Sequence, residues 1–267
     1  MAAAMHGRLT PYLFCLALIW SWLWAGPAQS EALDTAAERY RPLMAEQIER
    51  SLAGARAMRE ALLATDIEAA QSAWITSRVG WERAEVFTSG FTELDREIDA
   101  WPNAVTGFHA IEAKLFGAGR LDAQPETDAL IFHLTDLRSK IRDTRLTAQG
   151  LLEGAAKLAY EIGESKADGG ESRFSGTSLD DMRNNADGIE SVFRIVFADA
   201  IEARDPKLAA ELRTKIGELQ DLLKAGTISR LETRKLRAES EELIVEFQTA
   251  APLLGLTRPS LQDLVQQ

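Results

Sequence analysis

Cysteine and histidine are scarce in this 267-residue chain, which has one cysteine and three histidines. The single cysteine, Cys15, lies in an apolar N-terminal segment, so the rest of the chain has neither a disulfide nor thiolate chemistry available. With so few imidazoles, any metal site must consist mostly of oxygen ligands. Glycine (18) and proline (8) are also too sparse for a collagen-like chain or a Pro/Gly-rich disordered one.

Positive charge is limited, with 30 basic residues compared with 41 acidic ones and a net charge of −11. Such a chain has no basic surface that could neutralise phosphates, which excludes a general nucleic-acid binder. The acidic balance is compatible with a cationic ligand, although a solvated acidic surface explains the same charge. A hydrophobic fraction of 46% is sufficient for a packed core and too high for a disordered chain.

Residues 1–30 have the composition of a secretory signal peptide. Arg8 precedes an apolar run over 12–24, which is shorter than the ~20 residues of a transmembrane helix. A small-x-small sequence ends at Ser30, and we predict cleavage after this residue and export to the periplasm. An uncleaved membrane anchor is the alternative. The remaining region, 31–267, is predicted not to span a membrane.

Apolar residues three and four apart continue through the exported region, and no stretch alternates like a β-strand, which predicts an all-α protein. The predicted helices cover 33–63, 66–87, 91–98, 105–116, 126–162, 178–203, a segment that begins at position 206, and 227–249. A glycine-rich loop at 166–177 divides this region into an N-terminal bundle, 31–165, and a C-terminal bundle, 178–267. Short connections favour antiparallel packing of neighbouring helices.

The predicted helix over 105–116 carries two polar residues beside its apolar face. Phe108 and Ile111 belong to that face, Glu112 follows Phe108 by four residues, and His109 precedes Glu112 by three. This His-x-x-Glu spacing brings the two polar side chains to one flank of the helix. Because a lone buried carboxylate is unfavourable unless it is paired or bound to a cation, the pattern indicates a cationic partner.

Further carboxylates lie on the two preceding segments. The helix over 66–87 places Glu82 and Glu85 three apart among apolar residues, and Asp99 follows the next segment. Facing helices that each donate carboxylates or a histidine inward form metal sites in bundles. One imidazole with several carboxylates suits iron or manganese better than copper(I), and calcium rarely binds an imidazole. In the alternative interpretation, Arg78 pairs with Glu82 at i+4 and the whole cluster is a structural salt-bridge network.

Four segments of the sequence share their motifs and order with a known family. They are WITSRVGWERAEVF (74–87), FTELDREID (91–99), GFHAIE (107–112) and ESRFSGTSL (171–179). They contain an Arg-x-x-aromatic-Glu-x-x-Glu helix, an Ile-Asp ending and a Gly-x-His-x-x-Glu motif. In these features the chain resembles the imelysin family, and more closely its EfeO/EfeM branch of Efe-type iron-uptake components. The resemblance covers about 33–262 and is to the short form, without an N-terminal cupredoxin domain.

The resemblance implies an all-α fold of two packed antiparallel four-helix bundles. It also implies a metal site whose ligands map to Glu82, Glu85, Asp99, His109, Glu112 and Glu171. The bound ion would be iron, as Fe²⁺ or Fe³⁺, with Zn²⁺ or Mn²⁺ as substitutes. Many members of the family have a histidine where this chain has Gly176, so that position cannot contribute a ligand here.

The carboxylate pattern and the resemblance together predict a periplasmic iron-binding protein that captures the ion and delivers it to an inner-membrane iron permease. A haem-peroxidase-like protein of an Efe-type system is a further expected partner, and neither nucleic acid nor enzymatic activity is expected. The alternative is an imelysin-type metallopeptidase, although the chain has no HExxH motif and only one other histidine in the exported region. Polyanion or polysaccharide binding is disfavoured by the negative charge.

Overall fold

The computed structural model describes residues 25–99 and 105–260, which form helices joined by short loops, with no strand in either range. We number the α-helices in chain order as α1 Ala25–Leu63, α2 Ile67–Ala84, α3 Thr92–Asp99, α4 Gly107–Glu112, α5 Gln124–Asp143, α6 Ala148–Gly163, α7 Ser178–Val192, α8 Ala198–Glu202, α9 Pro206–Leu222 and α10 Thr233–Leu253. The other helical segments of these two ranges are the 3₁₀ turns Glu85–Phe91 and Ile228–Arg230 and the π-helical turns Ala113–Gly117 and Phe193–Phe197. The predicted all-α class is confirmed.

Capping residues set the start of several helices. The Asp66 side chain accepts a hydrogen bond from the Ala69 N–H at 2.9 Å and so begins α2. Asp205 accepts one from the Leu208 N–H at 3.0 Å, and Pro206 occupies the first position of α9, where its missing N–H has no consequence.

The predicted single helix over 126–162 is wrong, because the chain forms two helices there. Helix α5 ends at Asp143 and α6 begins at Ala148. Thr147 caps α6, since its hydroxyl accepts a hydrogen bond from the Gly150 N–H at 3.1 Å.

Helix α1 holds the break between α5 and α6 in place. Glu38 accepts a hydrogen bond from the Leu146 N–H at 2.9 Å. Arg41 donates to the carbonyl oxygens of Ile141 and of Thr144, the latter at 2.7 Å. Backbone groups that leave the helical pattern thus find partners on α1, as buried backbone groups require.

Other predicted helices differ from the observed ones in detail. The helix predicted over 66–87 ends at Ala84, so Glu85 lies in the 3₁₀ turn that follows, and the first helix begins at Ala25 instead of the predicted position 33. The segment predicted over 105–116 begins as an α-helix and ends in the π-helical turn Ala113–Gly117. The segment predicted over 178–203 is divided by a second π-helical turn. The last helix begins at Thr233, later than the predicted position 227, because a short 3₁₀ turn precedes it.

Helices α1 and α2 approach each other closely through glycine and serine. A Cβ atom at Gly54 would lie 2.5 Å from the Ser77 nitrogen, and one at Gly80 would lie 2.5 Å from the Ser51 nitrogen. The Ser77 hydroxyl donates to the Ser51 carbonyl oxygen at 2.7 Å. This contact fixes α2 against α1 and determines which side chains of α2 face the interior.

One continuous hydrophobic core includes side chains from all ten α-helices. Helix α6 lies at its centre, because it packs against α1, α7, α10 and the 3₁₀ turn Glu85–Phe91. Leu151, Leu158 and Ile162 of α6 are fully buried. The arrangement as two four-helix bundles, divided at 166–177 into 31–165 and 178–267, remains a prediction.

The predicted signal peptide lies mostly outside the described residues, and its cleavage after Ser30 remains a prediction. Within the described ranges, none of the helices combines the length and the apolar character that a membrane span requires.

Candidate metal centre

Several separate segments bring polar side chains to one buried region of the molecule. The contributing segments are α2 with Arg78 and Glu82, the first 3₁₀ turn with Glu85, the end of α3 with Asp99, α4 with His109 and Glu112, and the loop after α6 with Lys166 and Glu171. All six residues predicted as metal ligands therefore lie here. Their side chains are at most 10% exposed, so their charges are largely removed from solvent.

Asp99, His109 and Glu171 form a first group, which we call the histidine trio. One potential ligand atom from each residue lies within 4.8 Å of the other two. His109 Nε2 is 3.3 Å from Asp99 Oδ1 and 3.9 Å from Glu171 Oε1. The indole N–H of Trp81 donates to Asp99 Oδ2 at 2.8 Å and so fixes the orientation of this carboxylate.

Glu82, Glu85 and Asp99 form a second group, the carboxylate trio, whose oxygens also lie within 4.8 Å of one another. Asp99 therefore belongs to both trios. Arg78 lies at their junction, where its guanidinium pairs with Asp99, with Glu82 Oε1 at 2.5 Å and with Glu171 Oε1 at 2.8 Å. The Arg78–Glu82 pair anticipated in the alternative interpretation is formed.

Lys166 is a second buried cation in contact with the site. Its Nζ lies 2.8 Å from Glu82 Oε2 and 3.3 Å from Glu171 Oε1. Asn185 of α7 donates from Nδ2 to Glu82 Oε2 at 2.7 Å and to Glu85 Oε2 at 3.3 Å. The carboxylates of the site are thus held by a cation and an amide from outside the predicted ligand set.

A neighbouring ionic group adjoins the site through Glu85. Lys157 of α6 lies 3.7 Å from Glu85 Oε1 and 3.3 Å from both Asp95 Oδ2 and Glu161 Oε1. This lysine contacts the edge of the carboxylate trio, whereas Lys166 contacts residues of both trios.

In the part of the chain that the structure describes, this region holds more carboxylates than cations. The carboxylates are Glu82, Glu85, Asp95, Asp99, Glu112, Glu161, Glu171 and Asp181, and the cations are Arg78, Lys157, Lys166 and, in its protonated form, His109. An acidic excess of this kind, with low exposure to solvent, favours an additional cation.

Glu112 connects α4 to the loop that carries Glu171. Its Oε1 accepts hydrogen bonds from the Phe174 N–H at 3.0 Å and from the Ser175 N–H and hydroxyl, both at 2.8 Å. Its Oε2 lies 3.5 Å from His109 Nδ1. Glu112 belongs to neither trio and instead supports His109 from the other side of the imidazole ring.

The charges around His109 favour its protonated form. Burial and the charge of Arg78 oppose protonation, but the carboxylates of Asp99 and Glu112 outweigh them and raise the pKa of His109 to about 9. Burial would raise the pKa of Asp99, but Arg78 and His109 together hold this pKa well below its ordinary value. Burial likewise opposes ionisation of Glu112, whose pKa is nevertheless lowered by His109 and by its bonds to Ser175. A metal ion bound to His109 must therefore replace a proton.

Other carboxylates of the region have raised pKa values. Burial raises the pKa of Asp95 and of Asp181 to about 6 and that of Glu161 to about 7. Burial also raises the pKa of Glu82 well above its ordinary value, despite the two nearby cations. Protons and buried cations therefore share the neutralisation of this acidic region.

The donor set fits a metal ion of intermediate hardness. Carboxylate oxygens with one imidazole are ligands typical of iron, manganese and zinc in proteins. His109 Nε2 and Glu82 Oε1 are both buried, and each lies beside a charged group, His109 Nε2 3.3 Å from Asp99 Oδ1 and Glu82 Oε1 2.5 Å from the Arg78 guanidinium. A metal ion at either trio would therefore compete with these existing ionic contacts for the same ligand atoms.

Sequence reasoning missed Lys157, Lys166 and Asp181, and it assigned no role to Asn185. Lys157 interrupts a buried stretch of α6 that includes Leu158, which is the same kind of signal that identified Glu112. Lys166 lies in a loop, where helical periodicity carries no information about the direction of a side chain.

Comparison with known proteins gives a family match that contains every residue of this centre. The sequence model of the imelysin family (peptidase M75) matches residues 36–251. Three relatives are each 27% identical to this chain. An Efem/EfeO family lipoprotein of Staphylococcus haemolyticus is matched over 73% of this chain, and the iron uptake system component EfeM of Bacillus subtilis is matched over 90% of it. The iron uptake system component EfeO of Escherichia coli O157:H7 is matched over 74% of this chain.

The matched regions cover different shares of these relatives. The chain spans 72% of the Staphylococcus haemolyticus lipoprotein, 64% of the Bacillus subtilis protein and 56% of the Escherichia coli protein. Two of the three relatives are thus matched over less than two thirds of their own length.

Proposed function

The chain belongs to the imelysin family, and on this basis we propose that it is a periplasmic iron-binding component of an iron uptake system. In this proposal the iron ion is cargo, which the protein captures and delivers to an inner-membrane iron permease. A haem-peroxidase-like protein of an Efe-type system is the further proposed partner. The names of the relatives from Bacillus subtilis and Escherichia coli, both iron uptake system components, support this proposal.

The observation that carries the proposal is the convergence of Asp99, His109 and Glu171 within 4.8 Å of one another. These residues come from α3, α4 and the loop after α6, so local sequence alone does not bring them together. The Nε2 atom of His109 is buried and faces this group, 3.3 Å from Asp99 Oδ1.

We assign the following roles to the residues of the centre. Asp99 and Glu171 supply oxygen ligands and His109 supplies a nitrogen, while Glu82 and Glu85 add carboxylates beside Asp99. Glu112, the remaining predicted ligand, lies next to His109 Nδ1. Metal-binding histidines commonly donate their other ring N–H to a carboxylate, which orients the ring and increases its basicity.

Calorimetric titration of the exported protein tests the proposal, with Fe²⁺ added under anaerobic conditions and Mn²⁺ and Zn²⁺ added separately. We expect one bound ion per chain. His109→Ala and Asp99→Asn should each weaken binding at least ~10-fold, because ligand or ligand-supporting changes typically reduce metal affinity by this order. The loss of affinity should be larger for Asp99→Asn than for His109→Ala, since Asp99 belongs to both trios.

His133→Ala provides a matched control. His133 is also a histidine next to a carboxylate, with its Nε2 3.7 Å from Glu97 Oε2, but it lies on α5 outside both trios. This variant should bind metal with the affinity of the wild type. Absence of iron binding by the wild type, or an equal loss in all three variants, would contradict the proposal.

The family name also raises the metallopeptidase alternative. A zinc peptidase requires an open coordination position for an activated water and a general base. The donors of this centre are buried and are paired with Arg78 and Lys166, which supports binding in preference to turnover. Hydrolysis of casein that is abolished by Glu112→Gln would instead support the peptidase.

A further inference from the structure

The Lys166 ammonium lies among four carboxylates in a position that a bound cation would otherwise take. Its Nζ is 2.8 Å from Glu82 Oε2, 3.3 Å from Glu171 Oε1, 3.7 Å from Glu85 Oε2 and 3.9 Å from Glu161 Oε2. The residue is only 2% exposed, so these contacts replace its hydration. A lysine ammonium is a compact point charge, and it competes directly with a metal ion for the same oxygens.

Arg78 has comparable partners but is fixed in a way that Lys166 is not. Arg78 is anchored within helix α2, pairs with Asp99, Glu82 and Glu171, and has its guanidinium 5.4 Å from the centre of the Phe108 ring. A planar guanidinium held on several sides loses all of these contacts together if it moves. Arg78 therefore belongs to the permanent frame of the site.

Lys166 lies in the loop after α6 rather than in a helix, and exposed residues flank it in the sequence. It follows the end of α6, and its neighbours Ser165 and Asp168 are exposed. Gly169, with φ of +75°, and Gly170 come next in the chain. A flexible side chain beside exposed residues can leave the carboxylates without disturbing a helix.

We propose that Lys166 is a displaceable internal counter-ion of the metal centre. A metal ion that binds Glu82 and Glu171 expels the ammonium by repulsion between like charges, and the return of the ammonium favours release of the ion. Lys166 would thereby set the affinity and the reversibility of capture. This inference rests on the proposed metal-binding function.

Amine labelling of the wild-type protein tests the displacement directly, with Mn²⁺ as the probe and mass spectrometry as the readout. In metal-free protein, Lys166 should be acetylated at least ~10-fold more slowly than Lys207, whose side chain is 84% exposed. Saturation with Mn²⁺ should accelerate modification of Lys166 at least ~10-fold. Lys157, the other buried lysine of the region, should remain protected.

The variants Lys166→Met and Lys157→Met test the competition. Each substitution removes one buried ammonium from the same acidic region, but only Lys166 contacts Glu82 and Glu171. Lys166→Met should bind Mn²⁺ at least ~10-fold more tightly and release it more slowly. Lys157→Met should produce a clearly smaller increase.

Each outcome separates this inference from the proposed function. Failure of the wild type to bind any metal overturns the proposed function and the inference with it. Stoichiometric Mn²⁺ binding with Lys166 still protected overturns the inference alone, and this labelling result decides the matter even if Lys166→Met does not fold. An equal increase in affinity in the two lysine variants also overturns it, since general electrostatics would then suffice.

Discussion

Glu112 shows how a motif residue identified from the sequence can serve two parts of the structure. The His-x-x-Glu spacing predicted that its carboxylate would meet His109, and Oε2 does lie 3.5 Å from Nδ1. The other oxygen accepts three hydrogen bonds from Phe174 and Ser175. The position of Glu171 relative to the other donors therefore depends on Glu112, through the loop.

Replacing Glu112 should release this loop. We expect Glu112→Ala to increase tryptic cleavage after the exposed Arg173 several-fold, because the partly buried donors of Phe174 and Ser175 lose their acceptor, which costs about 1 kcal/mol. Glu112→Gln keeps an oxygen acceptor and should show a smaller increase. Cleavage after Lys224, which lies in another exposed loop, is the internal reference and should not change. Equal cleavage of all three proteins after Arg173 would show that the loop is held by other contacts.

A single glycine permits the close approach between α6 and the turn that carries Glu85. A Cβ atom at Gly154 would lie 1.6 Å from the Val86 carbonyl oxygen. Since this oxygen belongs to the backbone, rotation of a side chain cannot relieve the overlap. The position of Glu85 therefore depends on the absence of a side chain on α6.

Gly154→Ala should reduce the free energy of unfolding by about 3 kcal/mol, because the overlap forces α6 and the turn apart. Urea denaturation would measure this loss. Gly217→Ala is the matched control, since it lies within α9 and an added Cβ meets no atom within 4 Å. That variant should gain about 0.5–1 kcal/mol through helix propensity. A loss of similar size in both variants would refute the steric explanation.

At the level of secondary-structure elements, the break between α5 and α6 marks a limit of periodicity as a predictor. Leu146 is fully buried, so the apolar pattern continues across 144–147 even though the backbone leaves the helix. The capping residue Thr147 was the available signal. The partners that hold the break, Glu38 and Arg41, are more than 100 residues away in the sequence, and no local pattern identifies them.

Arg41→Ala should test how strongly α1 holds this break. The substitution removes the donor to the Ile141 and Thr144 carbonyl oxygens, and we expect the free energy of unfolding to fall by about 1–2 kcal/mol in urea denaturation. Arg142→Ala, at an exposed arginine that pairs with nearby residues of α5, should change stability by less than about 0.5 kcal/mol. If the two variants were equally stable, the contacts of Arg41 would contribute nothing measurable.

The candidate site was predictable from the sequence to the extent that its residues interrupt an apolar helix face. Glu82 and Glu112 were identified in this way, and both are buried in the structure. The family resemblance supplied Glu171, and the structure places it beside His109. The contact of Lys166 with Glu82 joins residues 84 apart in the sequence, and only tertiary packing creates it.

At the scale of the whole molecule, the candidate metal centre and the hydrophobic core connect both sides of the loop at 166–177. Arg78 from α2 pairs with Glu171 in this loop and lies 3.6 Å from Asp181 of α7. Helix α6 packs against both α1 and α10 within one continuous core. We therefore expect the described helices to unfold in one cooperative transition, as contacts shared across a core require.

Metal binding should raise the midpoint of this single transition. At a metal concentration of 100 times Kd, linkage adds about 2.7 kcal/mol, equivalent to about 5–10 °C for a chain of this size. Asp99→Asn should abolish most of the metal-induced shift of the midpoint, because Asp99 belongs to both trios. The control Glu93→Gln changes a 92% exposed position on the same helix and should show the full shift. Calorimetric scans with and without Mn²⁺ on each variant separate this effect from any change in basal stability. Two transitions, of which Mn²⁺ moves only one, would mean that the two sides of the loop fold independently.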